Sequence, residues 1–82
     1  MKDHTVDLAN VLRDYHRRAP EGSKTIAIHY FGVKFADLLT PYSTPQLRQL
    51  AKRAGLSENY GDDLYKMRRL APYIAIIRPF PA

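Results

Sequence analysis

The sequence contains no cysteine, and its longest uninterrupted apolar run extends only from Tyr73 to Ile77. The absence of cysteine excludes disulfides and metal sites that are built from thiolates. The shortness of the apolar run excludes a transmembrane helix, which needs about 20 apolar residues. The amino terminus is polar and lacks the pattern of a secretory signal, so we expect a cytoplasmic protein with no membrane partner.

Sequence patterns for catalysis and for metal or cofactor binding are also missing. The chain has no glycine-rich phosphate loop and no nucleophile elbow. Its histidines, His4, His16 and His29, show no metal-ligand spacing among themselves or with the carboxylates. We therefore expect that the protein is not an enzyme and that it uses neither a metal nor a cofactor.

What the chain does have is a net charge of +5, concentrated toward its carboxyl-terminal part. Residues 48–82 hold seven of the 13 Lys and Arg residues but only three of the eight acidic residues. A basic surface favours polyanionic partners such as nucleic acid, although the same charge can also serve solubility alone. With 82 residues, of which 45% are hydrophobic, the sequence predicts one domain with a thin core.

Apolar residues at helical spacing run through most of the chain. The spacing predicts a first helix over residues 5–18 and a second over residues 25–39, although the start of the second also alternates like a strand. Gly32, inside the second helix, is expected to pack closely against a neighbouring helix. The fold class that follows is all-α, with four to five helices over residues 1–78 and a loose tail at residues 79–82.

A turn at residues 40–43 precedes the third predicted helix. Ser43 as the N-cap would place Gln46 in a capping box, whereas Thr44 as the N-cap would place Pro45 at the first helical position. Both alternatives begin a helix here, and that helix is expected to end at Gly55.

Residues 47–70 have the pattern of a helix-turn-helix. Ala51 supplies a small residue where two helices cross, Gly55 supplies the left-handed turn, Leu56 follows as an apolar plug, and Leu64 anchors the second helix inward. The run from Leu50 to Ser57, reading LAKRAGLS, is followed by Tyr60, Leu64 and the pair Arg68-Arg69.

These residues resemble the helix-turn-helix of Cro and phage-repressor type regulators. More loosely, residues 28–36, this motif and residues 70–73 together are similar to small uncharacterised bacterial helix-turn-helix-like domains. The resemblance implies a transcriptional regulator that binds double-stranded DNA with the helix after Gly55 in the major groove. Base contacts are then expected from Asn59, Tyr60 and Asp63 at the start of that helix, and phosphate contacts from the cations and from the hydroxyls near helix starts. The predicted DNA-binding residues are Thr44, Lys52, Arg53, Ser57, Asn59, Tyr60, Asp63, Lys66 and Arg69.

Two features depart from the pattern of those regulators. Gly61 stands where they usually have an aliphatic core residue: it either permits a close helix approach or belongs to a longer turn, with Asp62 as the true N-cap. In addition, Glu58, Asp62 and Asp63 put negative charge at the front of the reading helix, where phosphates would repel it. The alternative function is a non-catalytic protein-interaction or dimerisation module that keeps the helix-turn-helix shape.

The end of the chain is β-branched and apolar. Residues 73–77 are expected to form either a short extended strand or a last turn packed across the core. Because regulators of this kind usually bind DNA as symmetric dimers, we predict a dimer or partner surface here. Its residues are Tyr73, Ile74, Ile76, Ile77 and Phe80.

Overall fold

A computed structural model of the chain describes the backbone of residues 5–80 and the side chains of residues 7–80. His4 and the last two residues of the predicted tail lie outside the described residues. Within residues 5–80 the chain forms five α-helices and a closing 3₁₀ turn, with no strand, which confirms the all-α fold class. The elements are α1 (Thr5–Arg18), α2 (Lys24–Lys34), α3 (Ala36–Leu39), α4 (Thr44–Arg53), α5 (Tyr60–Leu70) and the 3₁₀ turn Ala71–Tyr73.

The single helix predicted over residues 25–39 is wrong, because the chain bends at Phe35 and forms α2 and α3 instead. Phe35 has φ −105° and ψ 21°, which takes it out of the helical conformation. Its ring packs 4.8 Å from the ring of Phe31, centroid to centroid. Ile28 on α2 and Leu39 on α3 are both completely buried in the same core, so the apolar periodicity continues across the bend. For that reason periodicity alone did not reveal the break.

The core lies between α1, α2, α4 and α5, with the end of α3 closing one side. Each of these elements contributes side chains that are completely or almost completely buried. The largest of them are Leu12, Ile28, Phe31, Leu39, Leu47, Leu50 and Leu64. Gly32 on α2 makes the predicted close approach, because a Cβ there would lie 2.6 Å from the Cβ of Met67 on α5.

Three cations hold the ends of helices through backbone carbonyl oxygens. Lys24 donates to two carbonyls at the end of α1, each at 2.8 Å. Arg13 donates to the carbonyl of Ala54 at 3.1 Å, at the end of α4. Arg68 donates to the carbonyl of Leu39 at 2.8 Å, at the end of α3. The last carbonyls of a helix have no partner within the helix, so these cations satisfy them and also oppose the negative end of the helix dipole.

The N-cap of α4 is Ser43, so the alternative that placed Thr44 there is wrong. The Ser43 hydroxyl accepts a hydrogen bond from the Gln46 amide at 3.3 Å. The Gln46 side chain in turn accepts from the Ser43 amide at 2.8 Å, which completes the capping box. Thr44 is the first helical residue, and Pro45 follows it in the first turn.

After α5 the chain turns through Pro72 and then runs without regular secondary structure to Phe80. Ile74 has an extended backbone (φ −135°, ψ 165°), which favours the extended alternative for this segment over a further helical turn. The tail borders an open apolar groove of about 360 Å³, together with Ile26 and Val33 of α2 and Met67 of α5. The predicted domain boundary between residues 78 and 79 stays a prediction.

Candidate nucleic-acid interface

The turn between α4 and α5 has the geometry that the sequence predicts. Gly55 has φ +79°, a left-handed conformation that favours glycine. The amide of Leu56 donates to the carbonyl of Ala51 at 3.0 Å, and the amide of Gly55 donates to the carbonyl of Lys52 at 2.9 Å. This pair of bonds is the Schellman motif, which ends a helix and redirects the chain. Leu56 then packs, partly buried, against the core.

Gly61 lies in the first turn of α5, directly against α4. It is buried, and a Cβ there would overlap the backbone nitrogen and Cα of Arg48 on α4. The first alternative for Gly61, a close helix approach, is therefore confirmed. Asp62 is not the N-cap, because α5 begins at Tyr60, with Asn59 before it. Glycine is needed at this position because any side chain would push the two helices apart.

The stretch before α5 is a tight helical turn rather than an open loop. The amides of Tyr60, Gly61 and Asp62 each donate to the carbonyl three residues earlier, at 2.9–3.1 Å. The Ser57 hydroxyl accepts from the amide of Asn59 at 3.3 Å. The start of α5 is therefore joined to α4 through residues 54–59, which hold it in a defined orientation.

Arg48 binds two of the three carboxylates at the front of α5. Its Nη2 donates to Glu58 Oε1 and its Nη1 donates to Asp62 Oδ2, each at 3.2 Å. The hydrogen bond with Glu58, followed by the negative charge of Asp62, raises the pKa of the Arg48 guanidinium above its ordinary value. These two carboxylates are therefore held against α4 by a permanent cation.

The third carboxylate, Asp63, faces α2. Its Oδ1 lies 3.7 Å from Nε2 of His29, an ion pair when the imidazole is protonated. Asp63 is half-buried, as is Tyr60, whose ring lies 5.9 Å from the His16 ring on α1, centroid to centroid. Of the three residues predicted to contact bases, only Asn59 is exposed. This placement favours a packing role for Tyr60 and an ion-pairing role for Asp63.

The predicted phosphate-binding cations lie on the outer surfaces of α4 and α5. Lys52 and Arg53 are exposed on α4, and Lys66 and Arg69 are exposed on α5. Among the described residues, none of the four forms an ion pair with a carboxylate. Arg69 donates to the hydroxyl of Tyr65 at 3.0 Å. We call these four residues the cationic surface.

The remaining predicted contacts are hydroxyls near the helix starts. Ser57 is exposed before α5, and Thr44 is half-buried at the start of α4. Sequence reasoning missed the pairing of Arg48 with two carboxylates. The signal that points to it is the four-residue spacing of Glu58 and Asp62, which puts both carboxylates on one side of a helical segment and within reach of a shared cation.

Residues 5–80 contain neither of two features that would indicate another kind of site. No helix in this part of the chain is both long enough and apolar enough to cross a membrane. No group of three His, Asp or Glu side chains among the described residues is arranged to hold a metal ion.

Comparison with known proteins points to a family rather than to an individual relative. No curated protein and no solved structure matches the chain significantly. A family model described as an HTH-like domain matches residues 4–77, which is most of the chain. This match agrees with the helix-turn-helix that α4, Gly55 and α5 form. The chain therefore belongs to the HTH-like domain family.

Proposed function

We propose that this protein binds double-stranded DNA through α5 and acts as a transcriptional regulator in the bacterial cytoplasm. The observation that carries the proposal is the cationic surface, Lys52, Arg53, Lys66 and Arg69, on the two helices of the motif. Four exposed cations without a carboxylate partner among the described residues provide a surface that attracts phosphates. The membership of the chain in the HTH-like domain family is compatible with this role.

The dimensions of α5 fit this use. Its 11 residues correspond to a rod about 16 Å long, and a helix of ordinary diameter enters a major groove about 12 Å wide. Lys66 and Arg69 then lie beside the phosphates that border the groove, while Lys52 and Arg53 on α4 face the neighbouring backbone. Asn59, exposed just before α5, is the residue best placed to contact a base edge.

A fluorescence-anisotropy titration with a random-sequence duplex tests the proposal. Each phosphate contact contributes roughly −0.9 to the slope of log affinity against log salt, so four contacts weaken binding on the order of 100-fold between 50 and 200 mM salt. The absence of binding at 50 mM salt would refute the proposal, and so would binding that does not depend on salt.

A pair of matched variants locates the binding surface. Lys66→Met removes one charge from the cationic surface, and the slope should become less steep by about 0.9. Lys34→Met removes the same charge from α2, where the ammonium lies 5.8 Å from the ring centroid of Tyr30. The Lys34 variant should keep the slope of the unmodified protein. Equal effects of both substitutions would show that the binding does not use α5.

The tail supports a second proposal, that the protein forms a symmetric dimer through it. Tyr73 and Ile77 are 83% and 90% exposed. Ile26, Ile74 and Ile76 are also exposed, by 41–54%, and they line the groove beside Ile77. These side chains form an apolar face that a second copy of the chain would cover. Phe80 supports the face from beneath, half-buried against Tyr30.

Sedimentation equilibrium at high protein concentration tests the dimer. Ile77→Lys should shift the protein toward the monomer, because it puts a charge into the apolar face. Leu38→Lys is the matched control, since Leu38 is an exposed apolar residue on α3, outside the tail. If the unmodified protein is a monomer at high concentration, the dimer proposal is refuted. The DNA-binding proposal then applies to the monomer and is tested by the anisotropy titration.

Both proposals assign binding rather than catalysis to the chain. Among the described side chains none that is polar or charged is buried.

A further inference from the structure

Arg48 occupies a position that the proposed DNA contact leaves unexplained. It is a cation on the helix-turn-helix, but it points to the start of α5 and to two carboxylates rather than outward to solvent alone. Glu58 and Asp62 are about half exposed, at the end of α5 that leads into the groove in the proposed docking. Without a cation beside them, both would face phosphates as uncompensated negative charges.

The packing of the helices explains why the side chain of residue 48 can reach both carboxylates. Gly61 allows the backbone of Arg48 to touch α5, so the guanidinium needs to extend only along the first turn of that helix. The planar guanidinium has donors on two sides and bonds both carboxylates at once, through Nη1 and Nη2. A lysine ammonium is a compact point charge and does not reproduce this fork.

We propose that Arg48 is a positioning residue for DNA binding: it draws Glu58 and Asp62 onto α4 and offsets part of their negative charge, so that the start of α5 can approach phosphates. This inference rests on the proposed function. It assigns to Arg48 a role that acts through the two carboxylates, and no direct contact with DNA.

A double-mutant cycle distinguishes this role from ordinary loss of charge. The cycle combines Arg48→Met, which keeps the length of the side chain, with the paired substitution Glu58→Gln and Asp62→Asn. Affinity for a random duplex is measured by anisotropy at 100 mM salt. Lys52→Met is the matched control, because it removes one exposed cation of α4 that has no carboxylate partner among the described residues.

The expected result is strong coupling between the two sites. Lys52→Met should weaken binding about eightfold, the effect of one phosphate contact at this salt concentration. Arg48→Met should weaken binding more than Lys52→Met does, on the order of 30-fold, because it leaves two carboxylates near the phosphates without a cation beside them. The paired amide substitution should raise the affinity of the Arg48→Met protein about tenfold, and that of the unmodified protein by much less, because Arg48 already offsets part of the carboxylate charge there.

Two results would overturn the inference while the proposed function stands. If the amide substitutions have the same effect in both backgrounds, Arg48 and the carboxylates act independently. If they strengthen binding more when Arg48 is present, Arg48 is itself a DNA contact that the carboxylates hold back. An unmodified protein that does not bind DNA refutes the proposed function and the inference together.

The folding of each variant is checked by circular dichroism before binding is measured. Arg48→Lys provides a second route if Arg48→Met does not fold. A lysine keeps the charge but pairs with one carboxylate at a time, so binding should weaken and the amide pair should restore most of the loss. Binding by Arg48→Lys that equals that of the unmodified protein would overturn the inference, because it would show that pairing with both carboxylates is unnecessary.

Discussion

Replacing Gly61 by alanine tests the contact between α4 and α5 on which the candidate interface depends. The added Cβ would overlap the backbone of Arg48. Backbone atoms cannot be moved aside by a change of rotamer, as the end of a side chain can. The two helices must therefore separate, and the separation also lengthens the reach of Arg48 to Glu58 and Asp62. In the unmodified protein both of these ion pairs are 3.2 Å long.

The expected change in the free energy of unfolding is the difference between two opposing effects of the substitution. Alanine stabilises a helix by about 1 kcal/mol relative to glycine. Forcing extra volume into a packed interface typically costs 1–3 kcal/mol, and a backbone neighbour puts Gly61 near 3 kcal/mol. The net loss is about 2 kcal/mol, and because a domain of this size loses 4–8 °C of Tm per kcal/mol, the Tm should fall by about 10 °C.

Thermal unfolding followed by circular dichroism at 222 nm measures this change. Gly32→Ala is the comparison, because its Cβ would meet the side chain of Met67 rather than a backbone. That substitution should lower the Tm by less than Gly61→Ala does. A Gly61→Ala protein as stable as the unmodified one, or more stable, would refute the close approach of α4 and α5.

Two further predictions concern local contacts. Ser43→Ala removes the capping box of α4 and should lower the free energy of unfolding by about 1 kcal/mol in urea titrations; an unchanged midpoint would contradict the cap. The hydrogen bond from Arg17 lowers the pKa of Asp14, with Arg18 contributing further. Because that pKa is lower in the folded state, the pairing stabilises the fold above the unfolded pKa of Asp14 and is lost as the pH falls through the folded value. Arg17→Met should move the pKa of Asp14 back toward its ordinary value in a carboxyl NMR titration, and an unmoved pKa would contradict the assignment.

Most of the features that the sequence predicts correctly depend on residues close together in the chain; the close helix approach at Gly32 is an exception. The capping box needs only Ser43 and Gln46, and the turn after α4 needs only Gly55 and its neighbours. Both are determined by local hydrogen bonds and by backbone conformation. Their predictability therefore does not depend on knowing how the helices pack.

The features that the sequence did not predict depend on packing between distant residues. The bend at Phe35 leaves the apolar periodicity intact, because the segments on both sides face one core. The inward position of Tyr60 follows from its contact with His16, 44 positions earlier in the chain. Arg48 pairs with Glu58 and Asp62 because α4 and α5 touch at Gly61, where any Cβ would overlap the backbone of Arg48. Each of these requires knowledge of which helices are neighbours.

The choice between the two function classes that the sequence left open depended partly on the three carboxylates near the start of α5. Their negative charge favoured a protein-interaction module over a DNA-binding protein. In the structure Arg48 pairs with Glu58 and Asp62, and His29 lies beside Asp63, so each carboxylate has a basic side chain of the fold next to it. Lys52, Arg53, Lys66 and Arg69 have no such partners among the described residues, so the local balance of free charge on α4 and α5 is positive. The distribution of partners, rather than the net charge of +5, is therefore what favours DNA, and the case for a protein partner now depends on the apolar tail.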